Sequence, residues 1–169
     1  MPHCASNFLI ENDEIMIKAD VIAALRAQLQ SQYDRMLAAA REARGYATDQ
    51  DSKAESKYDT RSLEASYLAV GQAAKADELA VALDTFRPES FRDFAEIEPI
   101  DLGALVEVVY PDRAKATFLL APHGGGMMID LDGVTVMVIT PGAPVFGKLA
   151  GKRADDELAD PPMKIARVS

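Results

Sequence analysis

Four carboxylates lie close together in a polar segment that spans residues 45–61. Asp49, Asp51, Glu55 and Asp59 fall within eleven residues, and large aliphatic side chains are nearly absent around them. Mg²⁺ prefers oxygen ligands and is often held by only one or two protein carboxylates, so these side chains have the chemistry to bind it. Acidic residues also favour the positive N-terminal end of a helix. The spacing alone leaves both interpretations open: metal ligands, or a solvated turn before a helix.

The histidines and the cysteine do not form a recognisable metal or nucleophile motif. His3 and Cys4 stand near the N-terminus, and His123 precedes three consecutive glycines, 124–126. A zinc site needs three or four ligands at workable spacing, which these residues do not offer. The glycines lack the order of a phosphate-binding loop, and neither a GxSxG motif nor a Ser-His-Asp set is apparent. We therefore expect a tight turn between strands at the glycines, and a self-contained hydrolase is disfavoured.

Composition and charge exclude several classes of protein. The chain has 169 residues, with 18 Lys and Arg against 27 Asp and Glu, and a formal net charge of −9. Both halves share the acidic excess, so unaided binding to a nucleic-acid backbone is not expected. A single cysteine cannot form an internal disulfide framework. No apolar run approaches the ~20 residues of a membrane span, and the N-terminal residues do not resemble a signal peptide, so we expect a cytoplasmic protein.

The first half of the chain has the composition of two helices. Proline is absent from residue 14 to residue 86, and alanine, leucine and charged helix formers dominate. Apolar residues recur at three- and four-residue spacing on either side of the polar segment. We expect an antiparallel helical hairpin over roughly 14–46 and 55–86, with the carboxylates at its turn. The two apolar stripes are Leu25, Leu29, Tyr33, Met36, Ala40 and Ala43, and then Leu63, Tyr67, Val70, Ala74 and Ala80, widened by Leu68, Leu79 and Leu83.

The second half of the chain, after Pro88, changes to short apolar or alternating runs rich in β-formers. Proline, glycine and aspartate turns separate these runs, which is typical of an antiparallel sheet. Pro144 opens a segment that suits one short helix, because proline fits the first helical turn. We therefore expect an α+β chain with a helical hairpin (coiled coil) domain at 1–88 and a small sheet domain at 89–169. The runs cover 105–110, 116–121, 127–131, 134–140 and 163–168.

Residues 134–158 carry a recognisable pattern. A strand is followed by Ala143-Pro144 at the start of a short helix, then by Gly151-Lys152, and then by the acidic turn Asp155-Asp156-Glu157. With the glycine turn before it and the alternating segment after it, this order resembles the C-terminal signature of the Gre family of bacterial transcription elongation factors. The resemblance covers about residues 97–168. The expected helical hairpin precedes it in the same order and at a similar length.

The resemblance implies a fold and a function. Gre factors have an antiparallel coiled coil followed by an FKBP-like domain. That domain docks on RNA polymerase, and the coiled coil enters the secondary channel. Acidic residues at its tip help to hold a second Mg²⁺ in the polymerase active site, where backtracked RNA is cleaved. Carried onto this chain, the resemblance implies that Asp49, Asp51 and Glu55 are the metal-binding and catalytic residues. It implies docking through the short helix, by Pro144, Val145, Phe146 and Leu149.

The chain departs from the Gre pattern in several places. The family tip typically has an Asp-x-x-Glu spacing, whereas the acids here stand at Asp49, Asp51 and Glu55. In the C-terminal half, Ala143 replaces the family serine and Asp155 replaces a glycine. These differences bear on RNA cleavage more than on polymerase binding. Basic residues that would neutralise the tip or contact RNA phosphates are interleaved with the acids: Lys53, Lys57 and Arg61.

Three functions therefore remain open. The first is a factor that stimulates the polymerase's own transcript cleavage, with no autonomous activity and with Mg²⁺ held tightly only in the polymerase complex. The second is a Gre-like regulator that occupies the channel without cleavage. The third is an FKBP-like peptidyl-prolyl binding module, for which the architecture is the only argument. For the first two we expect RNA polymerase as the partner, RNA and DNA contacts only through the polymerase complex, no membrane association, and a monomer.

Overall fold

The structure of the protein is a computed structural model that describes residues 17–48, 61–95 and 97–169. Two long helices are followed by a six-stranded sheet with one short helix, so the α+β fold expected from the sequence is confirmed. No helix in these ranges is long and apolar enough to cross a membrane. The elements are α1 (Lys18–Thr48), α2 (Arg61–Thr85), β1 (Leu105–Val109), β2 (Lys115–Leu120), β3 (Met128–Leu131), β4 (Val134–Ile139), α3 (Pro144–Leu149), β5 (Glu157–Ala159) and β6 (Pro162–Val168).

The helices α1 and α2 pack against each other as an antiparallel pair. Arg26, near the start of α1, donates through Nη1 to the carbonyl oxygens of Leu83 (2.9 Å), in the last turn of α2, and of Phe86 (3.4 Å), just after α2. The apolar stripe predicted for α1 faces α2 and the core at the base of the two helices. Its members are buried or half-buried: Leu25, Leu29, Tyr33, Met36, Ala40 and Ala43.

The buried face of α2 agrees only in part with the predicted one, because Leu79 and Leu83, which widened the predicted stripe, are buried while its main members are exposed. Leu63, Tyr67 and Val70 are 52%, 70% and 69% exposed. Apolar residues of α2 point to all sides of the helix, so their spacing alone does not determine which face is buried. The selection is made at its end, where Leu83 and Phe86 join a core shared with the sheet. Steps of three and four residues back from Phe86 follow one face of a helix, and the buried residues found there are Leu79, Ala76 and Ala69.

The six strands form one sheet in the order β3-β4-β2-β1-β6-β5. The sheet is mixed rather than wholly antiparallel, because β4 runs parallel to β2, with Thr117 opposite Val136. The other four pairings are antiparallel. The chain leaves β2, forms β3 at the sheet edge, and turns back through Asp132-Gly133, as predicted. Both residues have positive φ (50° and 83°), the conformation of a two-residue hairpin turn. The returning strand therefore lies beside β2 in the same direction.

Alternate residues of the strands face two separate cores, one on each side of the sheet. Leu105 and Leu119 pack under the base of the helical pair, whereas their neighbours Val106 and Leu120 pack on the other face with Leu149 of α3. This alternation follows from the two-residue period of a β-strand. The helical residues in the first core are Val21, Leu25 and Leu29 of α1, Leu79 and Leu83 of α2, and Phe86 just after α2.

The three glycines at 124–126 form the connection between β2 and β3, as the sequence predicts. Gly124 has a φ of +81°, and a Cβ at this position would lie 3.0 Å from the Phe86 ring. A Cβ on Gly125 would lie 2.8 Å from the Thr140 hydroxyl oxygen. His123 beside them is exposed. The glycines thus allow the loop to pack closely against Phe86 and Thr140.

The contact between Gly124 and Phe86 can be tested by adding one methyl group. We expect Gly124→Ala to lower the free energy of unfolding by about 2–4 kcal/mol, because it combines a left-handed backbone with overpacking. The matched control is Gly126→Ala, which has a φ of +85° but no atom within 4 Å of the added Cβ. The control should lose only the backbone contribution of about 1–2 kcal/mol. Chemical denaturation of both variants measures the difference, and equal losses would show that the ring contact is unimportant.

Candidate functional site

The predicted metal-binding residues Asp49, Asp51 and Glu55 lie outside the described residues. The structure describes the helices that lead to them, with α1 ending at Thr48 and α2 beginning at Arg61. The carboxylate-rich segment therefore connects the ends of α1 and α2 that are farthest along the chain from the shared core. Across residues 17–48, 61–95 and 97–169, no group of three or more His, Cys, Asp or Glu is arranged to hold a metal ion.

The short helix α3 turns one side toward the second core and the other toward solvent. Leu149 is fully buried, and Val145 and Phe146 are half-buried against the same core. Pro144, at the first helical position, is exposed. Three of the four predicted docking residues thus have surface that a partner can contact. Leu149 supports the helix from below.

The start of α3 lacks a side-chain cap. Ala143 occupies the N-cap position in an extended conformation, and its methyl group cannot accept a hydrogen bond. Its backbone is nevertheless well bonded, since its N–H donates to the Thr140 carbonyl (2.8 Å) and its carbonyl accepts from Phe146 (3.0 Å). Proline at the next position suits the first helical turn. The turn therefore has the geometry of a capped helix without the capping hydroxyl.

The Gly151-Lys152 pair joins the end of α3 to the segment before β1. The Gly151 N–H donates to the Ile100 carbonyl (2.8 Å), and the Ile100 N–H donates to the Lys152 carbonyl (2.7 Å). Gly151 has a φ of +79°, which favours glycine. Ile100 is buried in the second core. This part of the signature therefore has a structural role, because it fixes α3 over the sheet.

The acidic turn after α3 contains an ion pair. Asp155 has a φ of +67°, a left-handed conformation that aspartate tolerates better than most residues. One of its carboxylate oxygens lies 2.7 Å from the Lys164 ammonium. The hydrogen bond to Asp155 raises the pKa of Lys164, and the negative charges of Asp155 and Glu157 act in the same direction. Asp155 therefore fits a position at which the Gre resemblance implies glycine.

A surface cleft of about 570 Å³ lies beside this turn, at the β1-β6-β5 side of the sheet. Its lining is largely apolar, and Tyr110 is the one aromatic residue in it. The Asp155–Lys164 ion pair and Glu157 contribute its charged side chains. Sequence reasoning did not find this cleft, because one of its walls is β5, a strand of only three residues with no recognisable pattern.

Among solved structures, the chain matches GreA factor homolog 1 (Gfh1) of Thermus thermophilus. The two chains are 20% identical, and the match covers 85% of this chain and 94% of that chain, with a TM-score of 0.33. No protein-family model and no curated protein matches the chain. The function proposed below therefore rests on the residues of this chain and on the geometry described above.

The missing cap of α3 yields a prediction about stability. We expect Ala143→Ser to raise the free energy of unfolding by about 0.5–1 kcal/mol, because the new hydroxyl can accept a hydrogen bond from an N–H in the first turn. Ala150→Ser is the matched control, because it makes the same change at the other end of α3, where no N–H of the helix is left without a partner. Thermal melts of both variants test this. An unchanged or lowered melting temperature for Ala143→Ser would contradict the capping argument.

Proposed function

We propose that this protein binds RNA polymerase, inserts its helical pair into the secondary channel and promotes cleavage of backtracked RNA. The observation that carries the proposal is a combination of two features in one chain. A long pair of helices is connected at one end by a carboxylate-rich segment, and a sheet domain with the Gre-like order around α3 packs at the other end. The first feature supplies a probe and the second a docking surface. The polymerase supplies the reaction centre and the contacts to RNA and DNA.

The helical pair extends well beyond the core that it shares with the sheet. The sheet core includes α1 only as far as Leu29, with Tyr33 and Met36 packed at its margin. From Leu29 to Thr48 the helix continues for about 28 Å, at 1.5 Å per residue. Small buried residues line the contact with α2 along this part, which lets the two backbones approach closely: Ala40, Ala43, Ala69 and Ala76. Two packed helices resist bending better than one.

The chemistry at the end of this probe would come from Asp49, Asp51 and Glu55. Their carboxylates are the donor type that Mg²⁺ prefers, and one or two of them would complete a site formed mainly by the polymerase. When bound there, a second metal ion stabilises the attacking and leaving oxygens of phosphodiester hydrolysis. The chain itself brings negative oxygen ligands to that point. We expect isolated protein to bind Mg²⁺ weakly, since so few ligands do not offset the dehydration of the ion.

A regulator that occupies the channel without cleavage is the second candidate. The basic residues Lys53, Lys57 and Arg61 stand among the acids and put positive charge beside the proposed ligands. Such a protein would dock in the same way without contributing a metal ligand. A peptidyl-prolyl binding module is disfavoured, because the described cleft offers Tyr110 as its single aromatic contact for a proline ring.

The tip residues distinguish cleavage from simple occupancy. We expect Asp49→Ala, Asp51→Ala or Glu55→Ala to lower the cleavage rate on stalled, backtracked complexes by roughly 10²–10³, as for the loss of other electrostatic stabilisers. Polymerase binding should persist in each variant, because the docking surface lies in the other domain. The rate should rise with Mg²⁺ concentration. Asp77→Ala is the control, since Asp77 is an exposed carboxylate of α2 away from the tip.

Each other outcome of the tip experiment has a definite meaning. Wild type that binds the complex yet leaves backtracked RNA intact would establish the non-cleaving regulator. If all three tip variants cleave at the wild-type rate, the choice of ligands is wrong, and Asp59 and Glu64 are the next to test. Wild type that does not bind polymerase would reject both channel functions.

The docking surface is tested through Phe146. We expect Phe146→Ala to weaken polymerase binding by about 10-fold or more, because aromatic anchors dominate such interfaces. The control is Phe91→Ala, which truncates another half-buried phenylalanine, one that stacks on Phe86 with ring centroids 5.7 Å apart. Binding is measured beside a thermal melt of each variant. If the two variants lose affinity equally, or only in proportion to unfolding, Phe146 has no docking role.

A further inference from the structure

Lys18, in the first turn of α1, is the one charged side chain that is buried among the described residues, at 6% exposure. Its ammonium donates to the carbonyl oxygen of Arg92 (2.6 Å) and to that of Gly103 (3.1 Å). Arg92 belongs to the segment that follows α2, and Gly103 lies two residues before the start of β1. One side chain thus connects the helical pair to two separate points of the sheet domain.

An aromatic ring and a second cation complete this junction. The Lys18 ammonium lies 5.0 Å from the centre of the Phe94 ring, and the Arg92 guanidinium lies 3.9 Å from it. Arg92 is held in turn by Glu98 at 2.9 Å, and Glu98 also accepts from the backbone N–H of Ala95 (2.9 Å). A cation over an aromatic face is attracted by the ring. The Arg92 carbonyl that Lys18 reaches therefore belongs to a segment held by its own hydrogen bonds.

This burial is unfavourable for the charge itself. Loss of water lowers the pKa of Lys18, the nearby Arg92 charge acts in the same direction, and Asp93 opposes it. In the described part of the chain, no carboxylate lies within ion-pair distance of Lys18. Hydrogen bonds stabilise a buried charge, and those of Lys18 go to the carbonyls of Arg92 and Gly103.

We propose that Lys18 is a positioning residue that fixes the direction in which the helical pair leaves the sheet domain. Tilting or sliding α1 would separate the ammonium from one or both carbonyls and leave a desolvated cation with too few partners. The observed orientation of α1 is therefore more stable than slightly tilted or shifted orientations. The consequence for RNA cleavage rests on the function proposed above, whereas the effect on direction does not.

The apolar core alone does not define this direction as sharply. Hydrophobic burial is non-directional, so leucine and valine contacts under Val21, Leu25 and Leu29 tolerate small rotations of the helix. Hydrogen bonds weaken steeply as their distance and angle change. The length of α1 amplifies any change in its angle. A rotation of about 10° at Lys18 moves the far end of this helix by about 8 Å, at 1.5 Å per residue.

The direct test measures the direction of the helical pair in the full chain. Cys4→Ser removes the single native cysteine, and spin labels are then placed at the exposed positions Ala38 on α1 and Ala159 on β5. Pulsed dipolar spectroscopy gives the distribution of distances between them. Lys18→Met keeps the length of the side chain and removes the donors. Lys75→Met is the matched control, since Lys75 is an exposed lysine of α2 that pairs with the exposed Glu78.

We expect Lys18→Met to broaden or shift the distance distribution and Lys75→Met to leave it unchanged, with the helix content of both preserved. Lys18→Gln, whose shorter side chain cannot reach both carbonyls, is measured in parallel and should behave like Lys18→Met. It takes that variant's place if Lys18→Met does not fold. An unchanged distribution in a folded Lys18 variant would overturn the proposal.

The functional consequence has a separate readout. At saturating protein, Lys18→Met should reduce the cleavage rate by about 10-fold or more while polymerase affinity is retained, because displacement of a reacting group by ~1 Å can reduce rates by up to about 10². If Lys18→Met changes the spin-label distances but cleaves RNA at the wild-type rate, the direction of the helical pair does not control cleavage. If wild type does not cleave, the proposed function fails, and the distance measurement still decides the role of Lys18.

Discussion

The burial of Phe86 between the helical pair and the sheet is the interaction on which the rest of the structure depends. Its side chain is fully buried, its ring stacks on Phe91, and its carbonyl accepts from Arg26 of α1. Because Phe86 directly follows α2, it selects which face of that helix turns inward. Because its ring reaches the β2–β3 connection, it requires glycine at position 124. One aromatic side chain thus couples the helices, the linker and the sheet.

This coupling explains how much of the fold the sequence predicts. Helices and strands follow from local periodicity, so α1, β1–β4, α3 and β6 lie where the patterns indicate. The inward face of α2 does not follow from local periodicity. Exposed Tyr67 and Val70 repeat as regularly as buried Leu79 and Leu83, and only contact with the distant sheet distinguishes the two sets. The parallel pairing of β2 with β4 also escapes local reasoning, since strand order depends on contacts far apart in sequence.

The candidate docking surface shows the same limit at a smaller scale. The order of motifs predicts a short helix at Pro144, but six residues are too few for periodicity to separate buried Leu149 from half-buried Phe146. The departures from the Gre pattern are accommodated by the backbone, because Asp155 adopts the left-handed conformation and Ala143 keeps its backbone hydrogen bonds. Ala143 and Asp155 are therefore both compatible with the backbone of the turns that flank α3.

Two kinds of contact hold the helical pair against the sheet domain, and they have different effects. Apolar burial around Phe86 supplies most of the favourable free energy, but it tolerates rotation. The cations of α1 instead donate to main-chain carbonyls. Arg26 donates to the carbonyl of Leu83 in α2, and Lys18 donates to the carbonyls of Arg92 and Gly103. Main-chain carbonyls make suitable reference points, because their positions are set by the backbone and not by a rotamer. The function proposed for the carboxylate-rich segment requires such a reference at the base of the helical pair, since any error in angle there grows in proportion to the length of the helices.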